Sequence, residues 1–180
     1  VNPTEIGAGP RRIVANLPYN VGTPLLFGWL DRVAERGADA IASMTLMFQA
    51  EVAERIVADA GDAAYGRLAV ACRHLCDVRM AMRAPAAAFS PPPKVDSAVV
   101  RLDPRGAAPQ VSWRALQETT RVAFGQRRKT LRRSLKGLLA NPEGELAALG
   151  IDPGARPETL SLEAFRALAG AVSKARNSAL

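Results

Sequence analysis

Apolar and polar positions along this chain follow one period, then another. Ile13-Val14-Ala15 is a short apolar run and reads as the close of a strand over Arg11–Ala15. Leu25, Leu26, Trp29, Leu30 and Val33 recur at helical spacing, with Thr23-Pro24 as a helix start and Gly37 as its stop. Ala40–Phe48, with Met44, Leu46 and Phe48 in register, predicts a second buried strand, and Gln49–Ala58 a helix with Glu51 and Arg55 paired at i,i+4. After the loop Asp59–Asp62, Leu68–Cys76 reads as helix. Val78–Ala84 and Ser97–Leu102 read as strands joined by the proline-rich Pro85–Lys94, and such a joint predicts an antiparallel edge on an otherwise parallel sheet. Beyond a Pro/Gly linker at 103–110 only helical spacing remains: Ser112–Phe124, Thr130–Leu139, Glu143–Gly150 and Leu162–Val172, the last with Ser161 as N-cap. The expected organisation is an α/β part over residues 1–104 and a small all-α part over 105–180. Residues 1–10 show no periodicity, and no glycine-rich loop follows a strand ahead of Asn16, so the sheet is expected to begin in its middle.

Composition narrows the classes. With 180 residues, 48% of them apolar, the chain can bury a core. No apolar run reaches the roughly 18–20 residues of a membrane span, so a soluble, intracellular, cytoplasmic protein is expected. Cys72 and Cys76 sit four apart on an expected helix with only His74 nearby, which suits packing better than a disulfide or a metal. The net charge of +7 is unevenly spread: residues 1–104 carry 11 basic and 11 acidic side chains, 105–140 carry 9 and 1, and 141–180 carry 4 and 5. Charge concentrated in this way points to a polyanion, whose phosphates reward it by counterion release.

Three stretches hold candidate chemistry. Asn16-Leu17-Pro18-Tyr19 stands at the end of the first strand, where ligands sit in open α/β sheets. The Asn16 oxygen and the Leu17 carbonyl can accept the two N–H groups of a ring-conjugated amine, favouring a more localised lone pair. Pro18 stiffens the loop and Tyr19 offers a stacking face, a set that suits a flipped adenine; the plainer alternative is a turn with Asn and Pro as breakers. Phe89, on the stiff arm Phe89-Ser90-Pro91-Pro92-Pro93, is either a plug for the core or a second wall for a planar ligand. Arg127, Arg128, Lys129, Arg132 and Arg133 spread over more than one face of the first two helices beyond the linker, while Phe124, Leu131 and Leu135 can face a small core; this is phosphate-gripping rather than base-reading chemistry. Arg67, alone at a helix start, suits a local contact or a phosphate.

Taken together, these stretches resemble the ribosomal RNA adenine dimethyltransferases of the bacterial small-subunit type. The resemblance rests on Asn16-Leu17-Pro18-Tyr19-Asn20 with Thr23-Pro24, Gln49-Ala50-Glu51-Val52 with Arg55, Tyr65-Gly66-Arg67-Leu68, Phe89 to Ser97, and Phe124-Gly125-Gln126-Arg127-Arg128-Lys129. It implies the C-terminal part of a Rossmann-like class I methyltransferase sheet followed by a small all-α, RNA-binding domain. It further implies S-adenosylmethionine as methyl donor, bordered by Asn16 and Pro18. Asn16, Leu17, Tyr19 and Phe89 would hold the target adenine, with Phe89 as the opposite stacking wall. The reaction implied is double methylation at N6 of two adjacent adenines near the 3′ end of 16S rRNA, by a monomer needing no metal, in small-subunit biogenesis. The family's glycine-rich donor loop and its acidic donor contacts lie upstream of the strand that leads to Asn16, so the 180 residues alone are expected to bind the donor poorly. A non-catalytic rRNA-binding or ribosome-assembly module and a methylase of a single large-subunit adenine are the alternatives. Pro91–Pro93 and Gln126–Lys129 fit the second of these less well.

Overall fold

The computed structural model describes residues 10–18, 20–106 and 111–177. Within them run β1 (Arg11–Asn16), α1 (Gly22–Arg36), β2 (Ile41–Gln49), α2 (Ala50–Val57), α3 (Arg67–Leu75), β3 (Cys76–Ala84), β4 (Ser97–Pro104), α4 (Trp113–Gly125), α5 (Leu131–Ser134), α6 (Pro142–Ala148) and α7 (Leu162–Asn177). The chain divides into two compact units, residues 1–57 with 75–108 and residues 58–74 with 109–180.

In the sheet unit the strand order is β1-β2-β4-β3, with β1 parallel to β2 and β4 antiparallel to both its neighbours. A parallel pair needs a crossover, and α1 supplies it between β1 and β2. Its buried stripe of Leu26, Trp29, Leu30 and Val33 is the one that the helical spacing marked, and Gly37, at φ 59°, ends it. The hairpin expected from Pro85–Lys94 forms, but its reversed strand lies inside the sheet and β3 takes the edge. The reason is in the side chains. β4 alternates buried Ala98, Val100 and Leu102, whereas β3 exposes Asp77, Arg79 and Arg83 and breaks register between Met80 and Met82. Charge and a bulge are how an edge strand avoids further pairing.

On the sheet face marked by Val14, Thr45, Arg101 and Arg79, which share a register row, Val14 is 81% exposed. The other face carries the apolar core, Met44, Leu46, Val100 and Leu102. Cys72 and Cys76 are buried and form no disulfide, in keeping with packing residues. Burial pushes the Cys76 thiol up to about 12, only partly offset by the Arg105 charge, which keeps it neutral at physiological pH.

The helical unit closes around Leu116, Leu131, Leu135, Leu146, Phe165, Leu168 and Val172. Tyr65, Ala69 and Val70 join the same core. That is why residues 58–74 belong with the helices although they precede residue 104, the boundary drawn from the sequence. Phe124 lies edge-on to Tyr65 at 6.1 Å and tilted against Phe165 at 5.4 Å between centroids. Ser161 caps α7 as expected, its Oγ accepting from Ala164 N at 3.1 Å. Ser112 and Asn141 cap α4 and α6 in the same way. The helix expected over Thr130–Leu139 is instead the short α5 and a 3₁₀ turn, Leu135–Gly137. Glycine at 137 disfavours continued helix, and the turn still delivers Leu131, Leu135 and Leu139 to the core. His74, buried in this unit, accepts from Arg166 Nε at Nδ1 (3.2 Å) and stacks on Trp113 at 6.1 Å.

Candidate functional site

Asn16 is the last residue of β1 and pairs along the main chain with Met47. The chain then turns sharply. Buried Leu17 donates its N–H to the Met47 carbonyl at 3.2 Å, and the Pro18 carbonyl accepts from Val21 N (3.2 Å) and Gly22 N (3.0 Å). These bonds close the loop onto the start of α1. The exposed Asn16 stands at the carboxyl end of its strand. Asn16 and Leu17, the two residues proposed from the sequence as acceptors, thus follow one another at the carboxyl end of β1, one exposed and one buried. Tyr19 lies outside the described residues.

Gly22 is a residue that the sequence reading passed over. A Cβ there would fall 3.2 Å from Cε1 of Phe48 and 3.3 Å from Cβ of Leu17. A side chain there would need the ring or Leu17 to give by a few tenths of an ångström, so glycine lets α1 begin close against the loop. Nothing in the local pattern signals it, because Phe48 arrives from the next strand.

The arm carrying Phe89 is anchored at its ends. A short 3₁₀ turn, Ala86–Ala88, precedes Phe89, whose N–H donates to the Ala86 carbonyl at 3.2 Å. Asp96 Oδ1 accepts from Ala86 N at 2.8 Å, and the Asp96 carbonyl accepts from Ala50 N at 2.9 Å. The arm is thus tied to itself and to the start of α2, with Phe89 half-buried. Gln49 pairs with Ser97, Ser97 with Ala84, and Asn16 with Met47. The Asn16 loop and the Phe89 arm therefore emerge at one end of the sheet.

In the helical unit the basic residues separate into different environments. Arg127 Nη2 donates to the carbonyls of Ala63 (2.9 Å) and Tyr65 (3.0 Å), so this guanidinium clamps the segment before α3. Arg132 pairs with Glu143 at 3.6 Å, both well exposed. Arg128, Lys129 and Arg133 are exposed to solvent. Arg127→Ala should therefore cost about 1 kcal/mol of stability by removing the bonds that tie this segment down. Arg128→Ala should leave the melting temperature alone and, for a polyanion bound there, lower the salt slope by about 1. Thermal melts and salt-titrated binding of both variants separate the two roles. A second basic group, Arg67, Arg114, Arg121 and Arg176, lines a cleft of its own with Gln117 and Glu118. Arg114 and Arg121, seven apart on α4, were the available signal. The partners from α3 and α7 were not.

A family model described as "Ribosomal RNA adenine dimethylase" matches residues 8–173. The chain belongs to this family. It is 55% identical over 163 residues to the ribosomal RNA small subunit methyltransferase A of Phenylobacterium zucineum, covering 90% of this chain and 55% of that protein. It is 50% identical over 177 residues to the protein of the same name from Rhodospirillum rubrum, covering 97% and 59%. The chain thus spans a little over half the length of these curated relatives. Among solved structures it resembles a dimethyladenosine transferase from Plasmodium falciparum, with a TM-score of 0.71 at 24% identity over 96% of this chain and 70% of that one. It also resembles the 23S rRNA methyltransferase ErmE, with a TM-score of 0.66 at 23% identity over 91% and 66%. At such identities the structures speak to the fold alone, a Rossmann-like methyltransferase sheet with appended helices.

Proposed function

We propose that the protein to which this chain belongs is an S-adenosylmethionine-dependent N6,N6-dimethyltransferase of two adjacent adenines near the 3′ end of small-subunit rRNA, acting in small-subunit biogenesis. The observation that supports the reading is the position of Asn16 and Leu17 at the carboxyl end of β1, the same end of the sheet from which the Phe89 arm emerges.

When bound, S-adenosylmethionine supplies an electrophilic methyl group, and Asn16 and Pro18 are the residues of this chain that would border it. The exposed, loop-closing position of these two residues is compatible with that task. The chain's own work is done on the amine. Asn16 Oδ1 and the Leu17 oxygen accept its N–H groups, which localises the nitrogen lone pair and aims it. For the second methylation one N–H remains, so a single acceptor still orients the nitrogen. Tyr19 and Phe89 hold the flipped ring by its two faces. Positioning and preorganised acceptors supply the effect, with no general base of shifted pKa. Arg128, Lys129, Arg132 and Arg133 grip phosphates, and Arg127 supports them through the Ala63–Tyr65 clamp. On this reading the protein works in the cytoplasm as a monomer on the small subunit, without a metal.

The test is methyl transfer by the full-length protein. Given S-adenosylmethionine and separately purified subunits, it should form N6,N6-dimethyladenosine in small-subunit RNA, two per molecule, as read by nucleoside mass spectrometry. Methylation of large-subunit RNA instead, or RNA binding with no methylation, would overturn it.

A further inference from the structure

Four arginines, from α3, α4 and α7, converge in the helical unit on a cleft whose lining includes none of Arg127, Arg128, Lys129, Arg132 or Arg133. Arg114, Gln117, Glu118 and Arg121 occupy one face of α4, while Ala115, Leu116, Thr119, Thr120 and Ala123 of the same helix are buried. Arg67 at the start of α3 and Arg176 in the last turn of α7 complete a cleft of about 270 Å³. Arg67 Nη2 donates to Gln117 Oε1 at 3.4 Å, which leans it toward α4. The carboxylate in this lining, Glu118, pairs with Arg176. Of the six lining residues four are basic and one is acidic, and Arg114 and Arg121 carry the excess. Arg114 and Arg121 are exposed, and among the described residues neither takes part in an ion pair.

We propose that this cleft is a second RNA-backbone site, binding phosphodiesters independently of Arg128, Lys129 and Arg133; it rests on the reading of RNA as partner. Unbalanced guanidiniums gathered on one surface repel one another, and a counter-anion relieves that repulsion. The cleft is lined by side-chain charge without an apolar centre, unlike a protein–protein interface, whose core is depleted of charge. Arg114 and Arg121 are two helical turns apart, about 10.5 Å along the axis. That spacing distributes charge along an extended polyanion rather than focusing it on one small ion. Guanidiniums presented without base-sized apolar slots read phosphate and shape, not sequence. Glu118 tempers the site by holding Arg176.

The experiment measures binding of the full-length protein to a small-subunit rRNA fragment containing the two target adenines, as a function of salt. Arg114→Gln/Arg121→Gln should weaken binding on the order of tenfold at 0.1 M salt and lower the slope of log K against log salt by roughly 2. Arg128→Gln/Lys129→Gln should lower it by a similar, additive amount. Glu118→Gln, by releasing Arg176, should tighten binding and steepen the slope, a sign that mere loss of structure would not produce. If the wild-type protein fails to bind the RNA, the functional reading itself falls. If it binds, and only the Arg128/Lys129 variant alters the slope, this inference alone falls. Competition at the cleft by inorganic phosphate or polyglutamate, with the RNA slope unchanged in Arg114→Gln/Arg121→Gln, would assign it to a small anion or an acidic protein and overturn it as well.

Discussion

Asn16→Ala in the full-length protein is expected to lower the methyl-transfer rate by about 10²–10³-fold at saturating RNA, the usual effect of deleting one preorganised hydrogen-bonding group at a reacting centre. RNA affinity should stay near wild type, because the phosphate contacts assigned above lie on other residues. Stability should also hold. The main chain of Asn16 carries its pairing with Met47, which alanine retains, and the side chain is exposed. The loss should appear in kcat rather than KM, since an acceptor that aims a lone pair acts on the transition state more than on the bound base. Single-turnover methylation with a thermal melt of the same sample makes the measurement. Near-normal turnover would remove the acceptor role from Asn16, and with it the strongest reason to call this loop a site.

Phe165→Ala is the largest expected loss of stability, about 3–5 kcal/mol for a fully buried aromatic in a packed core. Phe165 is 0% exposed and lies 5.4 Å from Phe124, whose ring also meets Tyr65. Truncation would open a cavity where α4, α7 and the segment before α3 meet. Differential scanning calorimetry should show the helical unit's transition falling by more than about 12 °C, given the usual shift per kcal/mol for a unit of this size. Phe165→Leu should cost less, about 1.5 kcal/mol or under, because it keeps most of the volume. RNA affinity should fall with the fold of this unit, since both basic surfaces are built on it. Equal stabilities for the alanine and leucine variants would mean that the three rings are not the centre of this core.

Local periodicity was enough to determine much of the chain by itself. The stripe Leu26, Trp29, Leu30 and Val33 predicted α1, the Met44–Phe48 register predicted β2, and Ser161 predicted the start of α7, because each depends on neighbours within a turn or two. The motif Asn16–Tyr19 could be placed at a strand end from the order of its residues, and its resemblance to a family gave that placement a chemistry. Tertiary structure alone decided the rest. It put β4 between β2 and β3, sent residues 58–74 to the helical core, and spent Arg127 on the Ala63 and Tyr65 carbonyls. It also left Gly22 close against Phe48 and gathered Arg67 and Arg176 beside Arg114 and Arg121. The physical reason is common to all of these. A repeat of apolar positions states which face of an element must be buried, but the choice of what covers it, or of which carbonyl a distant guanidinium will meet, is made by the shape and closure of the whole unit.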